Sequence, residues 1–242
     1  MNPTPAINMA IVLYDIASTL GTTFSPNIAK TRDRAALQEN WSQADFGRPL
    51  HAAGHLRSSH RQASFRSLIF AERIIDTAIA GSLEIAFYLD STYPDSVQLI
   101  PPGTEALHYA FTDAFQALLA PLETYALPAT LKIINSTSQE YFDRTRSRRL
   151  RVERLADAFP VAGSDSDVAA WKQFKGIFDH IDGWFAKSGL YFGGEKLCYA
   201  DITVASYLRW IRLVLDRNRW EDISDWHGGR WRRLMVEMEQ YE

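Results

Sequence analysis

The chain reads as an α/β unit followed by an all-helical domain, and three stretches carry that reading. A short β-branched run, Ile11-Val12-Leu13-Tyr14, is followed by a loop and a helix opening at Ser25-Pro26. A Pro-Gly segment, Leu99-Ile100-Pro101-Pro102-Gly103, marks a linker. From Thr104 on everything has helical spacing. The run Ile202–Leu215 is apolar almost all round, with only Arg209 and Arg212 charged, so its helix belongs at the buried centre of a helical domain. The boundaries that follow are 1–98 and 99–242.

Bulk properties fit this layout. With 242 residues, 46% hydrophobic and 23% charged, the chain can bury real cores. The net charge of −3 implies no global pull toward nucleic acid or anionic membrane. The single cysteine, Cys198, excludes an intrachain disulfide and a cysteine-based zinc cage. No apolar run is long enough to span a bilayer. Met1–Ile11 has no basic, signal-like opening, so a cytoplasmic location is expected.

Taken in order, residues 1–9 form a loose tail and Ile11–Tyr14 a first strand. Asp15–Phe24 is loop. Ser25 can cap a helix, Pro26 suits its first position, and the helix runs to about Leu37. A helix start presents free N–H groups and a positive dipole end, which suit an anion and lower the pKa of a thiolate held there. From spacing alone, Ser25 is either that thiolate's hydrogen-bond donor or simply a cap.

Trp41–His60 has few apolar residues and no alternation, so no second strand is legible there. His55, Arg57, His60 and Arg61 read as a solvated basic loop. His51, His55 and His60 also allow a metal reading, but no second cluster supports it, and no metal is expected. A nucleic-acid reading of 48–73 lacks a stacking platform beyond Trp41, Phe46 and Phe65. Ser67-Leu68-Ile69-Phe70 fits a third strand.

Ala80–Asp90 begins with a cap at Gly81-Ser82 and carries apolar spacing at Leu83, Ile85–Phe87 and Leu89. It predicts an amphipathic helix ending near Tyr93-Pro94. Ser82 is read either as a cap or as a ligand contact. Ala106–Tyr125 predicts one long helix, Pro128–Ile134 a short one, and Ser138–Arg146 another. The basic run Arg144–Arg154 is read as a solvated face. Pro160–Asp167 is loop. Val168–Lys187 predicts a helix whose stripe of Trp171, Phe174, Phe178, Ile181 and Phe185 is core. Gly193-Gly194 makes a turn, and Asp201 stands three residues after Cys198, the spacing of a capping box. Cys198 is a poor acceptor, so the half made by Asp201 should dominate.

Several of these segments share one resemblance. Leu13-Tyr14-Asp15, then Ser25-Pro26-Asn27 and Lys30-Thr31-Arg32, resemble the opening of fungal FuA-type glutathione transferases and the related β-etherase-like group. The stretch around Ser82 to Tyr88-Leu89-Asp90, the Gly103-Thr104-Glu105-Ala106 start and the Tyr141–Arg146 segment are similar to the same family. So are the Cys198–Asp201 helix opening and the Trp220–Tyr241 ending. The match covers residues 11–37 and 80–242; residues 38–79 diverge, and Ala29 stands where the family usually has Trp.

The resemblance implies a thioredoxin-like N-terminal domain, incomplete or divergent in 38–79, followed by an all-helical C-terminal domain. It implies an enzyme that conjugates glutathione, as co-substrate, to a small hydrophobic electrophile, or removes it. Fungal members act in detoxification, in handling wood-derived aromatics or in secondary-metabolite biosynthesis. Ser25 would stabilise the glutathione thiolate, with Asn27 as its helper. Ser82 and Gly81 would bind the γ-glutamyl carboxylate through side chain, backbone and helix start; the family has an acid where Gly81 stands. Ser67 takes the place of the family's cis proline, which with Leu68 would contact the cysteinyl part. Pro49 is the only proline between Pro26 and Pro94. The resemblance also implies a homodimer, with no nucleic acid and no membrane among its partners. The departures at Ser67 and Gly81 motivate an alternative, a catalytically impaired binding or scaffold protein.

Overall fold

The computed structural model describes residues 11–15, 19–20, 25–26, 30, 45–49, 69–72 and 77–239. Within them lie strands β1 (Ile11–Asp15), β2 (Asp45–Pro49), β3 (Ile69–Glu72) and β4 (Thr77–Ala80). They form one sheet in the order β2-β1-β3-β4. β1 pairs in parallel with β2, setting Leu13 opposite Phe46, while β1–β3 and β3–β4 are antiparallel.

Strand β2 is a departure from the sequence reading, which found no strand between Trp41 and His60. Its sequence, Asp-Phe-Gly-Arg-Pro, lacks the apolar run expected of a central strand. It pairs on one side only among the described strands, and an edge strand tolerates such a sequence, including a proline at its end. The third strand begins at Ile69; Ser67 and Leu68 lie outside the described residues.

Ala80 ends β4 instead of opening a helix, because Gly81 turns the chain at φ +103. Glycine takes this conformation without a Cβ penalty. Helix α1 then runs Ser82–Thr92. The single helix expected over Ala106–Tyr125 is two: α2 (Glu105–Leu118) and α3 (Ala120–Thr130). The break falls just before Pro121, whose ring and missing N–H favour the first turn of a new helix over the interior of an old one. Pro128, expected to open a further helix, lies inside α3, and Leu131–Ile133 turn instead.

Helix α4 covers Ser136–Leu150 and stops at Arg151 in the left-handed conformation. A 3₁₀ turn (Leu155–Ala158) leads to α5 (Asp165–Phe185), whose cap Ser164 accepts from the Asp167 N–H at 3.2 Å. Helix α6 is Tyr199–Val214, and α7 is Arg217–Glu239, kinked at Trp226–Gly229. The α5 stripe is core: Phe174, Phe178, Ile181 and Phe185 are buried, and Trp171 packs against them. The central role read for the apolar helix holds, since α6 is buried at every residue from Tyr199 to Ser206 and again from Leu208 to Ile211. Arg209 goes inside with it.

Candidate functional site

Helix α1 is held against the helical domain by a short chain of hydrogen bonds. Asp90, near its end, accepts from the Leu99 and Ile100 N–H groups at 3.0 and 2.8 Å through one carboxylate oxygen. The Leu99 carbonyl in turn accepts from the Tyr199 N–H at 3.0 Å. The linker therefore ties the C-terminal part of α1 to the first residue of α6. Hydrogen bonds to a charged group are the stronger kind, so Asp90 is well suited to fixing this junction.

The other end of α1 carries the sequence-predicted pair Gly81 and Ser82. Gly81 caps the helix, its carbonyl accepting from Ile85 N–H at 3.0 Å. Ser82 is half-buried, and its hydroxyl lies 2.9 Å from the Tyr199 hydroxyl. A Cβ built on Gly81 would collide with the carboxylate of Glu84, which folds back over the helix opening. The space that a side chain at position 81 would need is thus filled by an acid from one turn later. Glu84 itself is exposed.

Tyr199 is 1% exposed, and burial raises its pKa, which keeps the phenol protonated. Its ring meets that of His108 edge-on, with centroids 6.3 Å apart. His108 is buried, and among the described residues its Nδ1 has no hydrogen-bond partner. Burial lowers the His108 pKa, against the opposing pull of Asp90 and Glu105.

Ser25 is 9% exposed and stands immediately before helical backbone at Pro26. Lys30, also in helical backbone, is buried with its ammonium 5.4 Å from the centroid of the Tyr207 ring on α6. Desolvation brings its pKa down to about 8. Thr19, after β1, donates from its N–H and its hydroxyl to the Ile133 carbonyl at 2.8 and 3.1 Å. Tyr199 thus ties the α1 opening to the helical domain, and Thr19 and Lys30 touch that domain on either side of Ser25 in the chain.

Ser25 and Ser82 share no direct hydrogen bond among the described residues. Asn27, Ser67 and Leu68 lie outside them, as do His51, His55 and His60. Among the described residues no group of three or more His, Cys, Asp or Glu is placed to hold a metal ion. No described helix is long and apolar enough to cross a membrane. Sequence reasoning missed Tyr199, Asp90 and Glu84. Tyr199 could have been found as the hydroxyl-bearing residue at the start of a helix that is otherwise apolar.

A sheet-bearing unit joined through a clamped linker to an all-helical domain, with hydroxyls at helix openings, defines the class of protein. The comparisons give the family. A family model, glutathione S-transferase, C-terminal domain, matches residues 106–241. The glutathione S-transferase-like protein ustS of Aspergillus flavus is 30% identical over 248 residues, spanning 91% of this chain and 87% of the relative. A glutathione S-transferase of Ceriporiopsis subvermispora, crystallised in complex with glutathione, is 31% identical with a TM-score of 0.86, covering 96% of this chain and 97% of its own. A FuA-type glutathione transferase of Phanerochaete chrysosporium, 23% identical with a TM-score of 0.81 over 96% of this chain and 97% of its own, shares the fold. The chain belongs to the glutathione S-transferase family.

Proposed function

We propose that the protein binds glutathione and places its thiolate against a small hydrophobic electrophile. The observation that carries this reading is the opening of α1, where Ser82 is held by Tyr199 at 2.9 Å beside the free N–H groups of the helix start. Such an opening suits a carboxylate. The glutathione-bound Ceriporiopsis relative supports glutathione as the co-substrate.

In this reading Ser82 and the Gly81 backbone hold the γ-glutamyl carboxylate. Glu84 supplies the acid that position 81 lacks and receives the γ-glutamyl ammonium. Ser25 donates to the thiolate with Asn27 as helper, and Ser67 and Leu68 contact the cysteinyl part. The helix start at Pro26 lowers the thiolate pKa. The thiol gives its proton to solvent; the thiolate then forms a bond to the electrophilic carbon, which expels its leaving group with the bonding electron pair or, in an addition, takes up a proton from water, and proximity in the cleft supplies much of the rate. The sheet order supports a thioredoxin-like N-terminal domain over 1–98, with the helical domain over 99–242. A homodimer is proposed on the sequence resemblance to the family. Secondary-metabolite biosynthesis or detoxification is the setting we propose, on the sequence resemblance to fungal members.

The test is calorimetric titration of the purified protein with glutathione. Saturable binding in the micromolar to low-millimolar range is the expected result. A folded protein that does not bind sinks the reading. Binding with no conjugation of any electrophile in a broad panel would favour the alternative, a catalytically impaired binding or scaffold protein.

A further inference from the structure

We propose that Tyr199 is a positioning residue for glutathione: its phenol donates to the Ser82 hydroxyl and so leaves the Ser82 proton free for the ligand's carboxylate. This rests on the reading above, in which Ser82 meets the γ-glutamyl carboxylate, and adds a second residue from the other domain.

A serine hydroxyl has one proton to give and lone pairs to receive. A carboxylate only accepts. If Ser82 is to bind one, its proton must go to the carboxylate, and its lone pair is satisfied by a donor elsewhere. The Tyr199 hydroxyl stands 2.9 Å away, and at that distance either oxygen can be the donor. Arrival of an anion at the helix opening selects one direction, tyrosine to serine to carboxylate. Each bond in such a chain polarises the next, so the anion is held more tightly than by an isolated serine.

Tyr199 is built to stay in this place. It is almost fully buried, its N–H is bound to the Leu99 carbonyl at 3.0 Å, and its ring sits edge-on to His108. As the first residue of α6 it belongs to the most buried helix of the domain. Burial on all sides leaves the phenol no open space to swing into. Its protonated state, favoured by burial, makes it a donor throughout the neutral range.

The experiment is a double-mutant cycle read by calorimetry with glutathione on the full chain, with conjugation kinetics alongside. Tyr199→Phe removes one hydroxyl and keeps the ring. It should weaken glutathione binding roughly five- to tenfold, the scale of one hydrogen bond that assists a charged contact. The turnover rate at saturating glutathione should stay at the wild-type value, so KM moves and kcat does not. The Ser82→Ala/Tyr199→Phe double variant should bind no more weakly than Ser82→Ala alone, because Tyr199 acts only through Ser82. Installing 4-aminophenylalanine at position 199 keeps a donor on the same ring and should restore affinity. If Tyr199→Phe fails to fold, 4-fluorophenylalanine, nearer to tyrosine in size and without a donor, takes its place with the same expectations. Wild-type affinity in the donor-less variants, full additivity with Ser82→Ala, or no rescue by the aminophenyl side chain overturns the proposal. If the wild-type protein binds no glutathione, both readings fall; if it binds and Tyr199 is indifferent, only this one does.

Discussion

Asp201 and Phe192 are joined by a 2.7 Å hydrogen bond from the Phe192 N–H to Asp201 Oδ1, across the loop that precedes α6. The other oxygen of the same carboxylate accepts from the Cys198 N–H at 2.8 Å. One fully buried acid thus holds both the helix cap and the Gly193-Gly194 turn before it. Burial pushes the Asp201 pKa up, while the two N–H groups favour its charged form. The Cys198 thiol, buried beside this acid, is raised to about 12, so it is inert as a nucleophile near neutral pH.

Replacing Asp201 with Ala should leave two backbone amides unpaired, that of Cys198 buried and that of Phe192 partly buried. The expected loss is about 2–4 kcal/mol of folding stability, read as a lower urea midpoint with an unchanged slope. Asn at the same place keeps an acceptor and should recover part of that loss. An Asp201→Ala protein as stable as the wild type would contradict this account.

The pH dependence of stability should carry a mark of His108. Unfolded, it titrates near its ordinary value of about 6.5. Folded, burial holds its pKa lower, with Asp90 and Glu105 only partly offsetting. As pH falls below the ordinary value, the unfolded chain takes up a proton that the folded chain refuses. Its stability contribution is therefore complete above that value and is lost as pH drops toward the folded pKa. Urea midpoints followed through that window should fall in the wild type and fall less in His108→Gln. Parallel curves for the two proteins would remove His108 as the cause.

Restoring an acid at position 81 should not improve the site. Gly81→Asp forces a side chain into a positive-φ conformation and into the Glu84 carboxylate. A cost of about 1–2 kcal/mol follows from the backbone alone. Glutathione affinity should drop or stay level. Glu84→Gln, which removes only the charge, should weaken binding of glutathione more than binding of an analogue that lacks the γ-glutamyl amino group. A gain in affinity on Gly81→Asp would show that Glu84 does not stand in for the missing acid.

Ser25→Ala tests the thiolate site. Loss of one hydrogen bond to a charged sulfur should depress conjugation by more than about tenfold, with glutathione affinity far less affected. The rate should recover as pH is raised, because a less stabilised thiolate forms at higher pH. An unchanged rate would remove Ser25 from the chemistry.

Much of this architecture is legible in the amino-acid sequence. The capping-box spacing from Cys198 to Asp201, the apolar run of α6 and the aromatic stripe of α5 are local patterns, and local patterns survive folding because their physics is helical periodicity and end-capping. The segment Leu99–Gly103 is legible for another local reason, its Pro-Gly content, which interrupts a helix. Strand β2 was not, because its pairing with β1 is made across some thirty residues and its own composition carries no strand signal. The split between α2 and α3 turned on whether one proline would be tolerated, and Pro128 inside α3 shows that packing can decide this either way.

By itself, then, the sequence determined the helical domain, its central helix and the two hydroxyl-bearing helix openings at Ser25 and Ser82, since each depends on residues close in the chain. Only the tertiary structure brought Tyr199 to Ser82 from 117 positions away and clamped the linker between Asp90 and α6. Those contacts depend on how separate elements dock, and the interactions that set docking are non-local and leave no periodic trace in the chain.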